Sequence, residues 1–565
     1  MADRRELMKE LSAMEGEQST WIPHWKDLSE NFMPRRGRAL FDPDRTNRGE
    51  KLNRKMIDPT PALSTRVLAS GMMAGLTSPA RPWFRLITPD PALMQVQSVR
   101  EWLYIVELRM REIFSKSNFY NGLYICYKDL GVIGTHAQTI MEDAKSVIRC
   151  YPYAPGRYYI ATSNRQEVDT LFVDIPMTAR QAQMEYGYNA LSTRTRNLVN
   201  DPSKRHTWIK VVQAIKPNTE NEYGKSDSRN LPYASCHFEK DCPEEEPGLL
   251  RESGFYEFPG LVARWDLAEG EDIYGSSPAM DVLGGSRALQ LQQKRKAQAI
   301  DKHVDPPMAA HPDLKHQRTS LLPGDVTYTP FSNTGGAPGF QPVYTIKPEI
   351  SALLEDIQEM KSDVRQAMYV DLFLMLTMTD RRQITAEEIR ERHEEKLLML
   401  GPVLERLNME LLDPAIDRTF AIMLRRGMVP PAPPEIQGQS LKIEYISILA
   451  QAQRLIATSG IERLTSFVSI LAEGQVKAGM PPTVMDKLNF DEAVDEYAFA
   501  LGTAPQIIYS DDDVAAARES RAQEQQAQQL AAAAQPLKDA ATAGKTMSET
   551  PLNGGNALEQ VLGMA

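Results

Sequence analysis

The sequence predicts a mainly helical α+β chain, and three observations carry that reading. Residues Tyr274–Gly427 read as a long helix, a proline- and glycine-rich loop, a second long helix, a short polar break and a third, very long helix. From Ser146 to Trp265 the apolar period changes to two, the alternation of strands. On either side of that stretch apolar residues recur at helical spacing. The first long helix (about Ser277–Val304) and the second (about Pro348–Leu376) carry no catalytic constellation. At about 1.5 Å rise per residue each would extend roughly 40 Å. One chain gains little from two such rods joined at one end by a loop, whereas many copies side by side would wall a tube.

Asp3–Gln18 is charged and has Leu7, Leu11 and Met14 at helical spacing. After the Trp21-Ile22-Pro23 break, Trp25, Leu28 and Phe32 form a second stripe, ended by Pro34. Pro59–Leu76 reads as a helix with Ala62, Ala69, Gly71, Ala74 and Gly75 on one face, suited to close packing. Gln97–Ser115 and Phe119–Gly131 are two further amphipathic helices. Strands are expected at Val147–Tyr151, Tyr158–Ala161, Val168–Ile175, Trp208–Ile215, Tyr233–Phe238 and Gly254–Trp265. Among them Thr178-Ala-Arg-Gln181 is a capping box opening a short helix that ends at Gly187.

Asp305-Pro306-Pro307 stops the first rod. The turn-rich segment up to Pro348 has short strand-like stretches at Val326–Tyr328 and Val343–Ile346. The break Thr377–Gln383 follows the second rod, and Thr385-Ala-Glu-Glu388 launches a helix to about Arg426. Leu397, Leu400, Leu404, Leu407 and Leu411 give that helix a buried seam, and Pro402 and Pro414 should kink it. Beyond the linker Pro430–Pro434, Ile443–Asn489 and Phe490–Tyr509 read as a small helical region. Asp511-Asp-Asp513 precedes a helix to about Ala534, and the last stretch is small, polar and expected to be disordered.

With 565 residues, 42% hydrophobic and 25% charged, the chain can bury a large core and form several regions. No apolar run approaches the ~20 residues of a membrane span. Met1–Lys9 is charged and lacks a signal-peptide core, which predicts no export. The four cysteines are too few for a disulfide framework, and Cys236, His237 and Cys242 lack zinc-site spacing. The net charge of −11 argues against a DNA binder that grips through phosphates, but not against a conduit.

Enzyme signatures are missing. There is no phosphate-binding GxxxxGK[ST], and Gly335-Gly336 lacks the lysine and helix start that would follow. Gly131-Val-Ile-Gly134 reads as a helix end. His393-Glu394-Glu395 begins like a zinc-protease motif, but Leu397 stands where the second histidine would be. Asp511–Asp513 reads as a favourably charged helix start rather than an ion site. The sequence therefore predicts no enzyme, metal or cofactor. The cations Arg287, Lys294, Arg295, Lys296 and Lys302 on the first rod have two readings. They touch DNA phosphates, or, the favoured reading, they pair with Glu349, Glu355, Asp356 and Glu359 on the second rod of a neighbouring copy. Thr379-Asp380-Arg381-Arg382 is a compact polar loop between two long helices, read either as an ordinary helix connection or as the one place where this architecture could push charged side chains into a lumen.

Several long stretches resemble the head-to-tail connector, or portal, family of short-tailed bacteriophages over about residues 5–510. They are Trp21-Ile-Pro-His-Trp25 with Pro34-Arg-Arg-Gly37; Asp58-Pro-Thr-Pro-Ala62 through Ser70–Pro79 and Trp83-Phe84; Met177–Gln181; Tyr274-Gly-Ser-Ser-Pro278; and Thr385–Glu388 with Leu400-Gly-Pro402 and Arg425-Arg-Gly427. The resemblance implies a portal fold, mainly α within an α+β class, assembled as a ring of usually twelve subunits at one capsid vertex. It implies an α+β wing at 1–276, stem helices at 277–304 and 348–371, and a clip at 305–347 between them. A tunnel loop at 372–384, a long kinked wing helix at 385–430 and a helical crown at 431–510 follow. Residues 511–535 form a C-terminal helix that can extend the crown as a barrel, and 536–565 a disordered tail.

Such a protein nucleates capsid assembly, docks the terminase and then tail adaptor or tail proteins, and meets capsid and scaffolding proteins. It passes dsDNA without sequence specificity during packaging, retention and ejection, with no membrane partner. Assembled in the host cytoplasm and then carried in the virion, a dodecamer would have about −130 formal charges, suited to sliding DNA. Thr379, Asp380, Arg381 and Arg382 are the expected lumen contacts, and Asn333, Thr334, Gly335, Gly336 and Phe340 the expected partner-docking residues of the clip. The alternative is a scaffolding or internal virion protein without a channel.

Overall fold

The computed structural model describes residues 3–310 apart from 42–51, 91–92, 95, 220, 222–226, 244–245 and 247. Beyond these it describes 315, 340–342, 350–378, 400–438, 441–446, 464–477, 481, 483–489, 491, 494, 514–528, 541–542, 545–546, 551–552 and 555–556. Helices and small sheets form two units. One comprises Met1–Arg85, Val106–Pro431 and Ile443–Gly460; the other comprises Leu86–Ile105, Ala432–Lys442 and Ile461–Ala565.

In the first unit, α1 (Arg4–Ser19) begins where the Asp3 carboxylate accepts the Arg5 N–H at 3.0 Å. Its Leu7, Leu11 and Met14 share a core with Phe172, Val212, Cys236 and Phe238. α2 (Ile22–Phe32) holds Pro23 in its first turn, where no helical donor is lost, and buries Trp25, Leu28 and Phe32. After the single turn α3 (Arg38–Phe41) comes α4 (Thr60–Gly75). Of the small residues of α4, Ala69 and Gly75 are buried but Ala74 is exposed. Close approach occurs instead at Gly71, where a Cβ would lie 2.1 Å from the Phe373 ring.

The strand β1 (Phe84–Ile87), α5 (Gln97–Lys116) and α6 (Phe119–Ile133) follow. Trp83 and Phe84 stack into a cluster with Phe114 and Phe119. α6 ends on Gly134, whose φ of 83° and position 2.2 Å (from a would-be Cβ) to the Gly275 carbonyl oxygen admit only glycine.

The strands differ from expectation in two places. β2 (Thr135–Asp143) was not anticipated; its first six residues are all buried, so it shows no alternation. It lies between β3 (Val147–Pro152) and β9 (Gly260–Arg264) in an antiparallel three-stranded sheet. The single strand expected at Gly254–Trp265 is two, broken around Pro259. Its beginning belongs to β8 (Leu249–Phe255), in the other sheet.

That antiparallel sheet runs β4 (Tyr158–Thr162), β5 (Val168–Thr178), β6 (Trp208–Pro217), β7 (Tyr233–Glu239), β8. α7 (Ala179–Tyr186) opens with the expected capping box of Thr178 and Gln181, and α8 (Thr193–Asn200) follows it.

Alternation along β7 separates two of the candidate metal ligands. Cys236 faces the α1 core, while His237 faces the other way, its Nδ1 2.8 Å from the Tyr186 hydroxyl. Burial first, and then the charge of Arg251, push the His237 pKa down to about 3. The unfolded chain takes up a proton near pH 6.5 that the folded ring refuses, so stability is expected to fall as pH drops from 6.5 toward 3. His237→Gln should flatten that slope in urea midpoints measured between pH 7 and 4. An unchanged slope would place the acid sensitivity elsewhere.

The first rod starts at Ser277, whose Oγ donates to the Val132 carbonyl at 2.7 Å. It comprises α9 (Pro278–Asp281), an interruption at Val282, and α10 (Leu283–Val304). Past it, β10 (Met308–Ala310) pairs antiparallel with β11 (Phe340–Pro342); the strands expected at 326–328 and 343–346 lie outside the described residues. The second rod is not continuous. α11 (Ile350–Ala367) gives way to α12 (Val370–Met378) at Tyr369, whose φ of 53° is left-handed. Residues 372–378, expected to begin a loop, are therefore helical.

The third helix is described from Gly401. It runs through Gly401–Leu407, a π-helical turn Asn408–Leu412, and Asp413–Arg425. Pro414 lacks an N–H and crowds the carbonyl four residues back, and the wide turn just before it relieves both problems. The seam is realised: Leu400, Leu404, Leu407 and Leu411 are buried. Leu397 and the capping box at 385–388 lie outside the described residues.

Arg264 of β9 grips Glu410 in the wide turn, with Nη2 to Oε1 at 2.7 Å. Arg418 donates from Nε to the Ile140 carbonyl at 2.9 Å and pairs with Glu257 at 3.0 Å.

In the second unit, residues 464–477 and 514–528 are helical, and Arg518 binds Asp491 through two hydrogen bonds. Lys442–Tyr445, read as the edge of a helical region, is a strand that begins at the end of this unit's Ala432–Lys442 segment and continues into the first unit's Ile443–Gly460. Pro551–Leu552 pairs antiparallel with Gly555–Asn556 inside the tail expected to lack structure.

Candidate subunit interface on the paired rods

α10 and α11 pack antiparallel: Gln290 sits beside the partners of Lys361, and Gln292 Nε2 donates to Asp356 Oδ2 at 3.2 Å. Their facing sides bury Ser286, Leu289, Gln290, Ile357, Val364 and Met368. At about 100° per residue, Arg287, Leu291, Lys294, Arg295 and Lys302 fall within one arc of α10 on the side away from that seam. All five are exposed, Leu291 by 46%. Lys296 falls on the inward side and is half-buried, so it leaves the cluster.

On α11 the outer arc carries Glu355, Glu359 and Asp363, all exposed and four residues apart. Like charges at that spacing repel one another. Arg287 forms an ion pair with Asp27 of α2, and Asp356 is engaged by Gln292, so these two members of the expected inter-copy pairs already have partners within the chain. Among the described residues Lys294, Arg295, Lys302, Glu355, Glu359 and Asp363 have none. The two rods thus present a cationic back and an anionic back, pointing apart.

The rods are fastened to the body at Asp58, which is 3% exposed. Its Oδ2 takes Nε2 of Gln293 from α10 and Nζ of Lys361 from α11, each at 2.8 Å, while Oδ1 accepts the Thr60 N–H that starts α4. Gln290 closes the joint through its amide. Oε1 accepts the N–H groups of Ile57 and Asp58 at 2.7 and 2.8 Å, and Nε2 donates to the Asp58 carbonyl at 3.0 Å. Burial works against the Asp58 charge, but Lys361 and Thr60 outweigh it and hold the carboxyl below its ordinary range.

Other sequence-singled stretches are also structural joints. Arg36, from Pro34–Gly37, binds the fully buried Asp129 with Nε to Oδ1 at 3.0 Å and Nη2 to Oδ2 at 2.7 Å. His136 Nδ1 reaches the same Oδ2 at 2.8 Å. Arg425 pairs with Glu142 at 2.9 Å and Glu257 at 2.6 Å. The sequence marks these stretches but gives Asp58, Arg36 and Arg425 no role, because their ion-pair partners lie far away in the chain.

Thr379, Asp380, Arg381, Arg382, Asn333, Thr334, Gly335, Gly336 and Glu349 lie outside the described residues; Phe340 opens β11. Among the described residues no His, Cys, Asp and Glu side chains gather as a metal site, and no helix is long and apolar enough to cross a membrane.

The model of the family described as bacteriophage head to tail connecting protein matches residues 4–508. The chain belongs to that family, the phage portal proteins. This portal chain is 44% identical over 564 residues to the portal protein of Salmonella phage epsilon15, covering 100% of this chain and 98% of that one. It is 41% identical over 530 residues to the probable portal protein of Bordetella phage BPP-1, covering 94% and 93%. Solved gene transfer agent particles align more loosely. A chain from the neck of an empty particle gives a TM-score of 0.35 at 11% identity over 75% of this chain and 91% of its own. One from the native virion gives 0.31 at 10% identity over the same shares. As portal family members are structural proteins of the virion, the joints above have a mechanical reading.

Proposed function

We propose that copies of this portal chain close into a ring of twelve whose paired rods wall a passage for dsDNA. The observation that carries the ring is the pairing of a cationic and an anionic back on one antiparallel rod pair. Apart from Arg287, which pairs with Asp27, the charges on each back have no intrachain partner among the described residues, and rotation by one subunit brings opposite backs together, which is a heterologous contact that closes. Leu291 in the cationic arc adds apolar area to the same contact. The chain itself does no chemistry; work on DNA comes from the ATP-driven terminase.

In this reading the body at 1–276 and the helix 385–430 are the wing, and 277–304 and 348–371 the stem. Residues 305–347 are the clip that receives terminase and later tail proteins. Residues 431–510 are the crown, which 511–535 can extend as a barrel. The tunnel loop lies within 372–384, with Thr379, Asp380, Arg381 and Arg382 toward the DNA. Since α12 runs to Met378, residues 372–378 belong to the helix rather than to the loop. Capsid and scaffolding proteins meet the ring at one vertex, assembly takes place in the host cytoplasm, and the ring retains and then ejects the genome.

Negative-stain imaging of the purified protein tests this directly. Rings with a central hole are expected, and uniform monomers or dimers at high concentration would overturn it. Deleting Thr334–Gly339 is expected to spare the rings while impairing terminase or tail attachment in pull-downs. Undiminished attachment would remove the clip assignment alone.

A further inference from the structure

We propose that Asp58 is the positioning residue that couples the two rods to each other and to the body, so that loosening it frees the rod pair while the body stays folded. The ground is the convergence of three helices on one carboxylate. Oδ2 is shared between Gln293 of α10 and Lys361 of α11, each at 2.8 Å, so neither rod can slide or pivot without loosening the other's hold. Oδ1 is committed to Thr60 at 2.8 Å, so the same group also sets where α4 begins. The backbone around Asp58 is bound in both directions by the Gln290 amide, which makes the turn at 57–58 rigid relative to α10.

The cost of disturbing this joint is high because its carboxylate is buried, with Lys361 only partly exposed beside it. A buried carboxylate left without its ammonium, or the ammonium without its carboxylate, loses far more than an exposed pair does. The remaining attachments differ in kind. Arg287–Asp27 is half exposed on both sides and is therefore weak. The packing of Phe373 over Gly71 holds α12, beyond the left-handed Tyr369, rather than α11 itself. Asp58 is thus the one described polar group that all three elements share. In a chain whose rods bear load, a displacement of either rod reaches α4 through this carboxylate. The coupling rests on contacts within one chain and does not depend on ring closure.

Hydrogen exchange by mass spectrometry on the full chain tests the proposal, with D58N as the main variant. Asparagine keeps the shape but discards the charge that holds Lys361. Peptides from 283–304 and 350–367 are expected to exchange about tenfold faster, while those from the five-stranded sheet keep their wild-type rates. The double variant D58N/K361M should be no worse than D58N, because both remove one shared interaction, and K361R should lie between wild type and K361M.

If D58N does not fold, K361M still reads the α11 half of the joint, with faster exchange expected in 350–367. Rod exchange unchanged in K361M or D58N would overturn the proposal. So would an equal rise across rods and sheet, which marks Asp58 as an ordinary contributor to global stability.

Discussion

Asp129→Ala is expected to destabilise the first unit by about 3–5 kcal/mol, the usual cost of breaking a buried ion pair from one side. Asp129 and His136 are fully buried, and Asp129 is held by Arg36 through three hydrogen bonds and by His136 at 2.8 Å. Removing the carboxylate leaves a largely covered guanidinium with no counter-charge and a buried imidazole without its partner. Burial opposes the charge on Asp129, yet Arg36 and His136 outweigh it and keep its carboxyl below the ordinary range. Its contribution is therefore intact above about pH 3.8 and is lost only as pH falls through the lower folded value. Asp129→Asn should cost less, since it keeps the shape and some of the hydrogen bonds. Urea denaturation at pH 7 measures both; a loss under about 1 kcal/mol for the alanine variant would mean that the cluster relaxes onto other partners.

The second large effect concerns assembly. Glu355→Lys with Glu359→Lys is expected to prevent rings, because it turns attraction across each contact into repulsion. One exposed pair contributes little, up to about 1 kcal/mol. Two reversed pairs at every contact, repeated around a closed ring, are enough to move the assembly out of the accessible concentration range. Adding Lys294→Glu and Arg295→Glu to the same chain restores opposite signs and should restore rings. Screening makes the single reversal milder in high salt. Rings formed by the double lysine variant at wild-type concentration and low salt would show that the rod backs do not face each other.

How far the sequence could be read depended on whether a feature was local. The capping box at Thr178–Gln181, the leucine seam of the third helix from Leu400 to Leu411 and the stop of the first rod at Asp305-Pro306 depend on neighbours a few residues away, and all appear as expected. β2 escaped because both of its faces are covered, which erases the alternation that marks a strand. The split of Gly254–Trp265 was signalled by Pro259-Gly260, a pair ill-suited to a strand interior.

The turn at Tyr369 had no signal at all, since nothing local asks a tyrosine for left-handed backbone. Its ring lies 6.1 Å from that of Trp265, a residue more than a hundred positions away in sequence. The same holds for the candidate interface. The charged residues were noticed, but which of them already have partners, as Arg287 does with Asp27, is settled by tertiary packing.

The wide turn at Asn408–Leu412 makes the third helix intolerant of changes in length. One residue more or fewer there would rotate everything downstream by about 100° about the axis. Arg418 and Arg425 would then swing off Glu257 and Glu142 toward solvent or apolar core. Relatives are therefore expected to keep the residue count of this stretch along with its buried leucines and the carboxylate facing Arg264, and a gap falling within it would mark a chain whose third helix meets the body in a different orientation.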